Sequence, residues 1–96
     1  MIEYLYNAIR ANAGQPIVIG AEISNEEGVL LEEGCELHLF AQDRTTMITA
    51  VPGECIGDEW TFTIPAEVTK GLKGRYWYCI GYYDVSLCFK QPIYLI

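Results

Sequence analysis

The feature that most restricts this chain is a recurrence. Short runs of β-branched and aromatic residues, each broken by Gly, Pro, Asn or Glu, return at intervals of about ten residues. They fall at 4–12, 16–24, 35–42, 46–51, 59–65, 75–83 and 86–95. Inside the second run the apolar residues Ile17, Ile19, Ala21 and Ile23 alternate with their neighbours, which is the period of a half-buried strand. The first run, YLYNAIRAN, also suits a helical turn, but the alternation of Tyr4, Tyr6 and Ala8 favours an edge strand. With no internal repeat and no heptad pattern, the expected product is a seven-stranded antiparallel sandwich forming a single domain over residues 1–96. A chain of this length buries roughly 60–65% of its unfolded surface, enough to fold without covalent staples.

The punctuation adds detail. Pro16 opens a strand where a missing N–H is tolerated, and Gly28 and Gly34 bracket Val29-Leu30-Leu31 as turn residues with positive φ. In PAEVTKGLKG, Pro65 suits a first helical position and Gly71 a position just past a helix end, so one helical turn is expected near residues 65–71, bridging two sheets.

The segment GRYWYCIGYYDVSLCFKQP raises the functional question. A two-residue turn at Tyr83-Asp84 would pair Tyr82 with Val85, Gly81 with Ser86, Ile80 with Leu87, Cys79 with Cys88, Tyr78 with Phe89 and Trp77 with Lys90. Tyr76, Tyr78, Ile80, Tyr82, Val85, Leu87 and Phe89 then face inward, while Trp77, Cys79, Gly81, Tyr83, Ser86, Cys88 and Lys90 face outward. In an immunoglobulin-like arrangement strand 35–41 lies alongside, with Cys35, Leu37, Leu39 and Ala41 inward and Glu36, His38 and Phe40 outward. The outer face of this sheet therefore gathers Phe40, His38, Trp77, Cys79, Cys88 and Lys90, an unusually apolar exterior and the candidate protein interface, with a Lys90–Trp77 cation–π contact.

Chemistry on that face is sparse. A Cys79–Cys88 disulfide would join directly opposed residues, which strains its dihedral, and reduced thiols are the better expectation for a chain without a secretion signal. A metal site from His38, Cys79 and Cys88 lacks any chelating pair, and Cys35 points to the opposite face from His38. One histidine, no G-x-S-x-G elbow, no phosphate loop and no dinucleotide turn leave no nucleophile–base pair beyond a conceivable His38–Cys79 dyad on a flat sheet. The expectation is a non-enzyme without cofactor or metal.

Thirteen carboxylates against six Lys/Arg give a net charge of −7. That sign disfavours nucleic acid and anionic membranes as partners. Glu26, Glu27, Glu32, Glu33, Asp58, Glu59 and Asp84 fall in turns expected at one end; they do not follow calcium-loop spacing and read as a solvated acidic pole. Lys70, Lys73 and Arg75 would form an opposite positive pole, suited to head-to-tail stacking or to docking between charged neighbours. The N-terminus has no signal-peptide pattern and no segment reaches bilayer length, so synthesis and retention in the cytoplasm are expected.

The segments IVIGAEISNEEGVLLEEGCELHLF, WTFTIP, EVTKGLKGRYWYCI and SLCFKQPIYLI together resemble small immunoglobulin-like proteins of phages and prophages, similar to the N-terminal domain of siphophage baseplate upper proteins. The resemblance spans nearly the whole chain. It implies a virion or tail-associated structural module that contacts other structural proteins or itself, with Trp60 in the core and Tyr76 in a corner-tyrosine role. A carbohydrate- or cell-surface-binding module, using Trp77, Tyr82 and Tyr83, is the alternative.

Overall fold

The computed structural model describes residues 2–5, 8–21, 34–57, 59–82, 85–86 and 90–96. It is mostly β and consists of two sheets, as the alternating runs require. Ten strand segments, against seven expected, are present among the described residues: β1 Ile2–Leu5, β2 Ala8–Ala11, β3 Ile17–Ala21, β4 Cys35–Phe40, β5 Met47–Pro52, β6 Glu54–Ile56, β7 Glu59–Ile64, β8 Gly74–Tyr82, β9 Val85–Ser86 and β10 Gln91–Leu95. One short helix, α1, covers Ala66–Thr69.

The larger sheet runs β1-β2-β10-β8-β4-β5, with β9 on β8, and the smaller runs β3-β7-β6. The expected single first strand is instead two, β1 and β2, paired antiparallel. β2 also pairs with β10 in parallel, Ile93 beside Ile9 and Leu95 beside Ala11, so the sheet is not purely antiparallel. Two backbone bonds continue this seam: Ile96 N–H donates to the Ala11 carbonyl at 3.1 Å and Ala13 N–H to the Ile96 carbonyl at 2.9 Å. β6 was not expected, because Gly53 follows Pro52 and reads as the end of a strand rather than a hinge between two.

The alternation sorts core from surface. Ile9, Ala11, Leu37, Leu39, Val51, Tyr78, Ile93 and Leu95 of the larger sheet meet Ile17, Ile19, Trp60, Phe62 and Ile64 of the smaller one. Cys35 is in this core too, while Ala41 lies past the end of β4 and is only half-buried. Tyr76 and Ile80 pack against the core from their expected side. Trp60 and Phe62, two residues apart on β7, stack with ring centroids 6.1 Å apart. Burial, then the neighbouring Cys55, pushes the Cys35 thiol above its ordinary range, which keeps it unreactive.

The helical turn stands where expected, although Pro65 is its extended N-cap (φ −60°, ψ 147°) rather than its first helical residue. Gly71, at φ 85°, ends it in the left-handed region. Buried Thr69 ties the turn to a distant loop: its hydroxyl accepts the Gly14 N–H at 3.0 Å and lies 3.4 Å from the Ala66 carbonyl.

Candidate functional site

The last hairpin decides what the larger sheet shows to its outer side. β8 and β9 pair Tyr82 with Val85 and Gly81 with Ser86, as expected. Residues 87–89, and with them the expected Ile80–Leu87, Cys79–Cys88 and Tyr78–Phe89 pairs, lie outside the described residues. Beyond them β10 meets β8 as Gln91↔Tyr78 and Pro92↔Trp77, so Lys90 is not the partner of Trp77. Carried on from the Tyr82–Val85 pair, the register would set Lys90 opposite Trp77, whereas β10 sets Pro92 there, an offset of two. A shift of two preserves the period-2 sidedness, whereas a shift of one would have reversed it.

Consequently the outer face can be read across four strands. Met47 of β5, Phe40 of β4, Trp77 of β8 and Pro92 of β10 stand in one transverse row. The next row holds Ala50, His38 and Cys79, and the row on the other side holds Arg75, Tyr94 and Arg10, with Glu3 opposite Arg10 in register. Expected interface residues His38, Phe40, Trp77 and Cys79 are thus brought together.

Two of them are not available to a partner. Phe40 is 7% exposed and Cys79 is 0% exposed, which corrects their reading as surface groups. Phe40 is covered by Lys90, whose Nζ lies 4.0 Å from the ring centroid, and meets His38 edge-on at 6.4 Å. Cys79 sits next to His38 in register, in the middle of the sheet. His38 itself turns its Nε2 to the Glu36 carboxylate at 3.4 Å, the two being neighbours on one side of β4. Cys35, Cys55 and Cys79 are thiols; Cys88 is outside the described residues.

The accessible part of the face is Trp77 with its cations. The Arg44 guanidinium lies 4.1 Å from the indole centroid and that of Arg75 5.1 Å. Contacts of this kind contribute about 0.5–1 kcal/mol each when exposed. Arg75, expected at a positive pole, therefore belongs to the aromatic face, and the cation on Trp77 is arginine, not Lys90. Among the described residues, no carboxylate lies within 4.0 Å of Arg44, Arg75 or Lys90. Met47, 49% exposed, adds a flexible apolar edge beside them.

Arg44 was missed from the sequence, and its placement has a local cause. Asp43 Oδ1 accepts the N–H groups of Thr45 and Thr46, each at 2.9 Å, and Oδ2 accepts the Thr46 hydroxyl at 2.6 Å. Ala41 and Thr46 close the loop through a 2.8 Å backbone bond, and Arg44 donates to the Ala41 carbonyl at 3.0 Å. This geometry holds Arg44 at φ 67°, which among the described residues is the one left-handed conformation outside glycine. Lys90 Nζ also donates to the Arg44 carbonyl, clamping the loop onto the face. A one-residue slip in register adjoins the loop, between Leu39 and Phe40, where β5 carries the additional Ile48. An Asp-x-Thr-Thr turn between two strands is the signal that could have located this arginine.

The same loop gives a pH prediction. The Thr46 hydroxyl, then the Thr46 and Thr45 N–H groups, hold the Asp43 carboxyl well below the usual carboxylate range. A depressed folded value means that the anion's contribution is complete above the unfolded pKa of about 4 and is lost as pH falls through the folded value. The amide shifts of Thr45 and Thr46, followed by NMR, should stay flat from neutral pH down to that point and move only in stronger acid. A midpoint at the ordinary Asp value would contradict the bonded turn, and Asp43→Asn should remove the acid response.

Of the expected poles, Lys70 and Lys73 are exposed after α1, while Glu59 is exposed on the smaller sheet. Glu26, Glu27, Glu32, Glu33, Asp58 and Asp84 lie outside the described residues. Compared with protein-family models, curated proteins and solved structures, the chain matches none.

Proposed function

We propose that this is a non-enzymatic structural module whose larger sheet binds another protein through the face around Trp77. The observation that carries the reading is the half-buried indole with two guanidiniums against it and no described carboxylate nearby. Trp and Arg are the residue types that dominate interface energetics, and such a face favours a partner with acidic groups around an apolar centre. The carbohydrate alternative draws less support, since sugar stacking needs an open indole face and two guanidiniums already lie over this ring. For the fold we infer an immunoglobulin-like sandwich. The parallel β2–β10 seam, the β8–β4 pairing at the centre of the larger sheet and the helical turn between β7 and β8 support it. The sequence resemblance extends the reading to a phage or prophage virion, as a tail- or baseplate-associated part that meets other structural proteins.

A photo-crosslinking residue at position 94, where exposed Tyr94 stands opposite Arg75, tests the contact, with one at exposed Lys70 as control. Irradiated in cells that produce the protein, the position-94 probe should yield a discrete protein adduct that Trp77→Ser abolishes, while the control should not. Equal adducts from both positions, or an adduct indifferent to Trp77→Ser, would refute the interface.

A further inference from the structure

The two outer faces of the molecule differ in charge, although the larger sheet also carries Glu36, turned to His38 on the outer side of β4. On the smaller sheet the outward positions are Val18 and Gly20 of β3, Glu54 and Ile56 of β6, and Glu59, Thr61 and Thr63 of β7. Ile56 is 66% exposed and Val18 48% exposed, so apolar surface is open there as well. Its charges are carboxylates: Glu54 and Glu59 are exposed, and neither is within 4.0 Å of a described cation. Glu59 lies flat across β3, its Oε1 only 2.8 Å from where a side chain on Gly20 would begin, so the glycine makes room for the acid on the face. The larger sheet presents Arg44, Arg75 and Lys90 with Trp77 and Met47.

From this complementarity we propose that the occupant of the Trp77 face is a second copy of the same chain, docked through the outer side of its β3-β7-β6 sheet. The proposal rests on the interface reading above and names its partner. Acid from one copy meets base from the next, and Ile56 and Val18 meet Met47 and the indole edge. The two surfaces are different, so the contact is heterologous: each copy keeps one face unused and the association propagates into a ring or an open stack rather than stopping at a symmetric dimer. Copies of net charge −7 also repel at long range. Salt of about 0.1 M, with a screening length near 10 Å, suppresses that repulsion and leaves the facing charges in contact, so association peaks at moderate ionic strength and falls in concentrated salt.

Sedimentation velocity up to about 1 mM protein reads dissociation constants as weak as about 1 mM. Wild type should form a concentration-dependent series of oligomers. Arg44→Gln with Arg75→Gln, and separately Glu54→Gln with Glu59→Gln, should each raise the dissociation constant at least about tenfold, as loss of facing charges does. Mixed in equal amounts, the two variants should form a 1:1 dimer and nothing larger, because one intact pair of faces remains. Unchanged circular dichroism and melting temperature establish that each variant is folded. A wild type that stays monomeric, or acidic-face variants that associate as well as wild type, overturns the second copy as partner. The photo-crosslinking adduct then reports independently whether the Trp77 face binds a different protein.

Discussion

Phe62→Ala should destabilise the protein by about 3–5 kcal/mol, the usual cost of emptying a fully enclosed phenylalanine site. Phe62 is 0% exposed and sits at the middle of β7, stacked on Trp60 and paired in register with Ile19. It belongs to the buried cluster formed by residues of both sheets, whose backbones cannot collapse into a void without breaking ladder bonds. For a domain of this size the loss corresponds to a fall in melting temperature of roughly 15–30 °C, read by calorimetry or circular dichroism. A change of under about 1 kcal/mol would mean that β7 does not carry the core.

Gly53→Ala should be the most damaging addition of a single methyl group. A Cβ at this position would stand 2.5 Å from Phe62 Cε1 and 2.6 Å from Trp60 Cε3, while the Gly53 N–H is held by the Cys35 carbonyl at 3.0 Å. Neither ring has room to retreat, so overpacking should cost about 1–3 kcal/mol or more in urea denaturation. The two substitutions share one space. Removing the Phe62 ring relieves one of the two clashes, and the double variant should be less destabilised than the sum of the singles by about 0.5 kcal/mol or more. Strict additivity would place Gly53 away from the rings.

Much of this architecture was legible in the chain. The period of two in Ile17–Ala21 and Cys35–Leu39 separates core from surface correctly, and Tyr82 stands opposite Val85 as the expected hairpin register requires. What escaped has identifiable causes. Pairing partners are a matter of long-range geometry, so nothing within residues 4–12 announces that the run folds on itself and then lies parallel to the last strand. The offset of two in β10 leaves side-chain alternation untouched and is invisible to any argument from periodicity. Exposure on the outer face depends on what lies across it. Period alone makes Phe40 and Cys79 outward, but Lys90 covers the ring and the thiol is fully buried. Arg44 required recognising that Asp43 and the two threonines build a turn that fixes the next residue, a backbone effect without hydrophobic signature.

The seam between β2 and β10 sets an order of events during synthesis. β10 lies between β2 and β8, so the amino-terminal hairpin has no neighbour in the larger sheet until the last described strand has left the ribosome. Until then β2 offers an open backbone ladder to any other nascent chain. Closure joins segments far apart in sequence, Ile9–Ala11 with Ile93–Leu95, a high-contact-order step of the kind that slows folding into the millisecond-to-second range.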